Sequence, residues 1–521
     1  MLMKYFKSIL LIFSFSFIAK AQAPTIEWQK SFGGSNNEIA KSIVQTPDGG
    51  YITAGYSKSL DGNATLNHGD NDFWIVKMDA LGILLWQKSL GGSGDDQANS
   101  ISNTSDGGYV IAGFTTSSDG DVTLNKGLAD CWIIKLNAQG NIEWQKTYGG
   151  THQDIATSVQ QTTDGGYIVA GNSSSNNGDV TGNHSPYIND YWVLKLDASG
   201  SMQWQKALGG YGEDRAYDIK QTIDGGYVVA GETSSPNSGD IFSNALGVRD
   251  SWIVKLGTTG NIIWEKRFGG SGNDATYSIA QTLDGGYIAS GTTTSNVGNI
   301  TYNGQGDFWI LKLDAAGNLQ WQKAMGSLTY DQAYSVIQTS DGNYVAAGYI
   351  SSNTGIAESE LINGTNFWLI KLNSSGNLLW HKVYGGNGHE VAWSIIPTVD
   401  GGLAVAGYSN SSDGDVTGNH GQSDFWILKL SGSKELGINE NNIHEKPEIY
   451  PNPAKDIVRI NHLPRESTVA IFDTAGRRIF NKKYSETNIS IDVSAFINGM
   501  YIVQIDSSEK NILSEKLIIK K

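Results

Sequence analysis

An all-β fold is what this sequence predicts, on three observations. Its 521 residues hold 64 Gly, 23 Tyr and 15 Trp against 9 Pro, a composition of short strands and tight turns. A "DGG" or "DGN" turn recurs with its aspartate at Asp48, Asp106, Asp164, Asp224, Asp284, Asp341 and Asp400, at intervals of 57 to 60 residues. Two tryptophan motifs share that period, one like "FWIVK" at Trp74, Trp132, Trp192, Trp252, Trp309, Trp368 and Trp426, the other like "WQK" at Trp28, Trp86, Trp144, Trp204, Trp264, Trp321 and Trp380. A period of this length marks copies that bury their faces against one another.

Taken in chain order, residues 1–21 predict an export signal: Lys4 and Lys7, an apolar run from Ile9 to Ile18, then Ala19-Lys20-Ala21 as a small-x-small cleavage site. Each copy then predicts four strands, as in "ATSVQQT", "YIVAG", "DYWVLKLD" and "MQWQKALGG", with "TDGG" turning the first into the second. Glycine supplies positive φ in these turns, and the Asp and Thr side chains bind free backbone amides. Strands apolar on both faces, such as "FWIVKM", suit sheets with a neighbour on each side. The chain opens on an orphan fourth strand around Trp28, and its last copy stops after the third strand at Trp426. Residues 22–433 therefore predict a seven-bladed β-propeller, with the N-terminal strand closing the last blade and leaving no open edge. In its logic this resembles WD40 and Kelch propellers, although neither signature occurs. A polar linker is expected at 434–447, and a small C-terminal β-sandwich at 448–521.

The net charge of −15 is unevenly placed: residues 22–433 carry 40 acidic against 21 basic side chains, and residues 434–521 carry 12 against 13. So acidic a body excludes nucleic acid and anionic membrane as partners. No second apolar stretch reaches membrane length, so no transmembrane segment is expected, and a monomer is. The single cysteine, Cys131, has no disulfide partner and occupies the position that is Phe73, Phe308 or Phe425 in other copies, which makes it a packing residue.

Three constellations are candidates for chemistry. Seven carboxylates recur just before the first strand of each copy, Glu38, Asp96, Asp154, Asp214, Asp274, Asp331 and Glu390. If that strand lines the axis, they form an acidic ring at the channel mouth; otherwise they bind amides of the crossover between blades. Three loops have the oxygen-donor spacing of a calcium loop: Asp61, Asn63, Thr65, Asn67 and Asp72; Asp119, Asp121, Thr123, Asn125 and Asp130; and Asp413, Asp415, Thr417, Asn419 and Asp424. Calcium is thus the one candidate cofactor, as a loop staple. The turn "TPDGGYIT" is similar to the Asp-box of sialidases without its final aromatic, but the arginines of the repeats are only Arg215, Arg249 and Arg267. An active site gathers unlike groups at one place, and here the copies stay alike, so no catalytic residue is assigned.

The tail holds "YPNP" (Tyr450, Pro451, Asn452, Pro453), a Gly476-Arg477 turn, Asp492-Val493-Ser494 and Gly499-Met500-Tyr501. It resembles the type A C-terminal sorting domain of cargo for the type IX secretion system of Bacteroidota. That resemblance implies export to the periplasm, recognition of the folded tail by the secretion machinery, and release or surface attachment. Spacing alone gives only a β module behind a linker, which a fibronectin-like spacer would also satisfy. The expectation is a secreted or cell-surface binding or adhesion module with a glycan or protein ligand; a propeller hydrolase or lyase acting on polysaccharide is the alternative.

Overall fold

The computed structural model describes residues 22–296, 305–352, 354, 363–432, 447–463, 466–473, 477–507 and 510–521. The expected export signal at 1–21, almost all of the linker and Gly476 lie outside the described residues. The chain divides into two compact units, Met1–Glu435 and Leu436–Lys521.

Among the described residues of the first unit every element is a strand, and the strands form seven four-stranded antiparallel sheets. The first of them runs Glu38–Gln45, Tyr51–Ser57, Asp72–Met78 and Leu84–Leu90, each strand hydrogen-bonded to the next. The sheet of Glu390–Pro397, Leu403–Ser409 and Asp424–Leu430 takes its fourth strand from the chain start, Ile26–Phe32. There Lys30 lies opposite Ile427 and Phe32 opposite Phe425, and the Trp426 indole donates to Gln29 Oε1 at 2.9 Å.

The recurrent residues have identifiable jobs. In the first turn the Asp48 carboxylate accepts from Gly50 N at 3.0 Å and from the Thr46 hydroxyl, while Gly49 takes φ +83°. The lysine of "FWIVK" is buried: Lys77 donates to Asp48 at 3.0 Å and to the Met78 carbonyl at 3.3 Å. The glutamine of "WQK" accepts from the buried indole of its own sheet, as Trp74 Nε1 to Gln87 Oε1 at 2.9 Å and Trp132 Nε1 to Gln145 Oε1 at 2.7 Å. Five of the seven neighbouring sheet pairs bury their third strands against each other through an aromatic pair such as Phe73 on Trp132, with ring centres 4.6 Å apart. Phe367 meets Trp426 at 4.5 Å, and Trp74 meets Phe425 at 4.5 Å, so the last sheet packs against both the sixth and the first. Cys131 fills the phenylalanine position, 1% exposed in the cluster that holds Trp192.

The second unit has a three-stranded sheet, Glu448–Tyr450, Ile457–Asn461 and Ile489–Asp492, and a four-stranded one, Ser467–Phe472, Arg478–Tyr484, Gly499–Ser507 and Lys510–Ile519. Val458, Ile460 and Ile491 of the first and Val469, Ile471, Val503 and Leu517 of the second share one core.

Candidate binding site

The first strands of the seven sheets touch one another in sequence, the seventh touching the first, and together line an axial cavity of about 580 Å³. Every one of these strands carries a β-bulge at the equivalent place, for example between Ala40 and Ser42 and between Ala333 and Ser335. The glycine of "YITAG" permits it: a Cβ on Gly55 would stand 1.9 Å from the Ile39 carbonyl oxygen, and one on Gly113 1.9 Å from that of Gln97. A bulge re-aims the residue it skips. The skipped residues are Lys41, Asn99, Thr157, Tyr217, Tyr277, Tyr334 and Trp393.

This column breaks the symmetry of the repeat. Tyr217 meets Tyr277 at 5.0 Å, Tyr277 meets Tyr334 at 5.2 Å, and Tyr334 stacks on Trp393 at 4.1 Å. The Lys41 ammonium lies 3.2 Å over the Trp393 ring, and burial pulls its pKa down to about 7. Asn99 and Thr157 leave the opposite arc small and polar. Burial lifts the hydroxyls of Tyr217, Tyr277 and Tyr334 far above the ordinary phenol range. The next residue of each strand is serine except at Asp218, and these side chains stitch neighbouring strands together. Val159 N donates to Ser100 Oγ at 3.2 Å, Val336 N to Ser278 Oγ at 3.3 Å and Ile43 N to Ser394 Oγ at 3.4 Å. Asp218 accepts from Ser158 Oγ at 2.8 Å, from Ile279 N at 3.0 Å and from Lys220 Nζ at 2.6 Å. The one carboxylate of this lining is already engaged.

The seven carboxylates of the predicted ring do not line this cavity. Each is buried at a junction between sheets, where it accepts from the crossover backbone and from hydroxyls. Asp96 takes Gly92 N at 2.8 Å, Ser117 Oγ at 2.8 Å and the Thr115 hydroxyl; Glu38, Asp154, Asp214, Asp274, Asp331 and Glu390 repeat the arrangement with Gly34, Gly150, Gly210, Gly270, Ser327 and Gly386. A mouth ring is therefore replaced by latches: a short carboxylate four residues after a free amide closes onto it sooner than it reaches solvent.

Six of the seven latches face a second buried carboxylate. Cβ atoms on the first glycine of the crossover, Gly91, would stand 2.5 Å from Asp72 Oδ1 and 2.7 Å from Asp96 Oδ2; Gly149 lies in the same way between Asp130 and Asp154. Asp72 Oδ1, Asp130 Oδ1, Asp190 Oδ1, Asp250 Oδ1 and Asp424 Oδ1 are buried without a hydrogen-bond partner. Burial, reinforced by the facing carboxylate, lifts Asp72 and Asp130 to about 6. The seventh junction has Asn366 facing Glu390.

The candidate calcium loops are held by protein donors. Asp61 accepts from Ser35 N at 2.7 Å, Asn63 from Gly33 N at 3.3 Å, Thr65 from Gln87 Nε2 at 2.9 Å and Asp72 from His68 Nδ1 at 2.6 Å, while Asn67 donates to the Ser57 carbonyl at 3.0 Å. Asp119, Asp121 and Asp130 are bound by the amides of Ser93, Gly91 and Lys126, and Asn125 donates to the Thr115 carbonyl. Asp413, Asp415 and Asp424 are bound by those of Asn387, Gly385 and His420, with Thr417 on Gln29 and Asn419 on the Ser409 carbonyl. Thr123 is exposed. Among the described residues no group of three or more His, Cys, Asp and Glu gathers as a metal site, and in the arrangement present most of these loop oxygens are engaged by protein donors. The arginines are likewise engaged: Arg249 on Glu232 at 2.6 Å, Arg215 on Glu213 at 3.1 Å, and Arg267, buried, on Asp250 at 3.1 Å.

In the second unit the "YPNP" segment clasps the last strand, with Asn452 Nδ2 donating to the Lys516 carbonyl at 2.6 Å and Oδ1 accepting from Ile518 N at 2.9 Å. The peptides Tyr450-Pro451 and Asn452-Pro453 are both cis. Arg477 closes its turn on Asp473 at 2.8 Å, Gly499 begins a strand, and the Tyr501 hydroxyl donates to the Ile497 carbonyl at 2.9 Å.

Residues 448–520 match the family described as the secretion system C-terminal sorting domain. The last unit is thus a sorting domain, and the chain is an export substrate of the type IX route. Among curated proteins, the regulatory protein FlaEY of Caulobacter vibrioides is 25% identical over 213 residues, which are 38% of this chain and 22% of that protein. The chain thus matches under a quarter of that relative's length. Similar solved structures include the Pan2 WD40 domain of Neurospora crassa, at 9% identity over 75% of this chain and 88% of that one with a TM-score of 0.41. PorZ of Porphyromonas gingivalis, described as an essential surface component of the type IX secretion system, aligns at 10% identity over 95% and 100% with a TM-score of 0.23. No helix among the described residues is long and apolar enough to cross a membrane.

Proposed function

We propose that this exported chain is a binding module whose first unit is a closed seven-bladed propeller, residues 22–433, and whose ligand site is the axial cavity. An export signal at 1–21 and a linker at 434–447 complete the organisation, and the module acts at the cell surface or outside the cell, in adhesion or capture. The pairing of Ile26–Phe32 with Asp424–Leu430 supports closure. One observation carries the binding reading: in a repeat that keeps its turns, latches and buried tryptophans alike, the column at the axial bulge runs from Lys41 through Asn99 and Thr157 to an aromatic arc ending at Trp393. Packing alone asks for no such divergence, whereas a pocket for one ligand does. Two measurements test it. Deleting residues 448–521 is expected to leave the protein in the periplasm, checked by fractionation and immunoblot. The full chain is expected to bind its ligand one to one rather than at seven equivalent places, checked by calorimetry after screening glycan and protein arrays with and without calcium.

A further inference from the structure

We infer that the axial cavity takes a neutral sugar chain, held with its C–H faces on one wall and its hydroxyls on the other; this rests on the binding reading above. Two independent columns divide the cavity along the same line. At the bulge, Tyr277, Tyr334 and Trp393 stand opposite Asn99 and Thr157. Three residues further along the same strands, Ile337 and Ile396, on the strands of Tyr334 and Trp393, stand opposite Ser102 and Gln160. One side is therefore aromatic and aliphatic over both layers, and the other offers hydroxyls and amides. Between them runs the ring of serines, of which Ser100, Ser278 and Ser394 accept from neighbouring backbone amides and keep a hydroxyl proton to donate, while Ser158 donates to Asp218.

Of the three charged groups lining the cavity, Lys220 pairs with Asp218 at 2.6 Å, and Lys41, whose charge burial disfavours, lies on the Trp393 ring, so at most one positive charge faces a ligand. A lipid tail would leave the hydroxyl wall without partners, and buried polar groups left unmet oppose binding. A pyranose answers both walls at once, because its ring carbons carry an apolar face and its rim carries hydroxyls. The volume of about 580 Å³ admits a few such units and lies within the range of small-molecule sites.

The test is calorimetry of the full chain against cellohexaose, maltohexaose, xylohexaose and mannohexaose, with Ser102→Leu and Ile337→Ser as one variant on each wall. At least one hexasaccharide is expected to bind, and each variant to weaken it about tenfold or more while the melting temperature stays near that of the parent. A hexasaccharide that binds equally to both variants overturns the cavity as the sugar site. If no sugar binds but a heptapeptide selected from a random display library does, and both variants abolish it, the binding reading survives and the sugar class falls. If neither kind of probe binds, both fall.

Discussion

Asp130 shows what a single side chain contributes. Its Oδ2 accepts from Lys126 N at 2.7 Å, its Oδ1 is buried without a partner, and it faces Asp154 across the space beside Gly149. Asp179, paired with Lys126, completes the charges around it. Burial raises its pKa to about 6, so its folded value exceeds its unfolded one. Stability from such a group is complete below the ordinary carboxylate pKa and is lost as pH rises through about 6. Asp130→Asn keeps an acceptor for Lys126 and removes the buried charge that faces Asp154; the seventh junction already carries a neutral side chain, Asn366, at this position. The variant is expected to gain about 1–2 kcal/mol at pH 7.5, discounting for screening, and little at pH 4.5, by thermal melts at both values. The turn aspartates act in the opposite sense. Against a desolvation that would raise it, the Thr46 hydroxyl, the Lys77 ammonium and the Gly50 amide hold Asp48 at about 2, and Asp106 and Asp164 repeat this. Their stabilisation is present above the ordinary carboxylate pKa and lost as pH falls through about 2. The two windows meet, so the melting temperature is expected to peak at about pH 4 in a pH series. Sequence placed both sets of aspartates in turns but could not tell a solvated ring from buried latches, because the facing carboxylate comes from a distant strand.

At the scale of the strand, the bulge is what turns a repeat into a site. Period, turn chemistry and the doubled tryptophan motif made the four strands legible, since each rests on contacts within about ten residues of sequence. The recurrent glycine of "YITAG" carried a further signal: a strand interior avoids glycine unless a backbone approaches closely. Gly113→Ala would bring a Cβ within 1.9 Å of the Gln97 carbonyl oxygen, and neither backbone can yield without breaking the bulge. The expected cost is about 3 kcal/mol or more, measured by denaturant unfolding. Trp393 was visible as the fifteenth tryptophan, the one outside both motifs. Its partners were not visible, because Lys41 and Tyr334 reach it from other sheets. The loops with calcium spacing turn side-chain oxygens onto crossover amides such as Ser35 N and Ser93 N, contacts that the spacing alone did not reveal.

For the molecule as a whole, the order of motifs was the strongest information in the sequence, with an unpaired fourth strand at one end and a missing one at the other. The sorting tail was legible from short ordered motifs, while the ligand was not, since it depends on which side chains seven separate strands bring to one axis. That axis exists only if the chain ends meet. Thr25 Oγ1 and Ser431 Oγ lie 3.2 Å apart, and Ser431 N donates to the Thr25 carbonyl at 2.9 Å. Cys131 is buried and will not compete for a new disulfide. The most direct measurement is therefore oxidation of the full chain carrying Thr25→Cys and Ser431→Cys, followed by non-reducing electrophoresis and a melt. Closure predicts a bond within one chain, formed without loss of secondary structure and raising the melting temperature. Thiols that stay free, or bonds that form only between chains, would contradict the ring and the axial site with it.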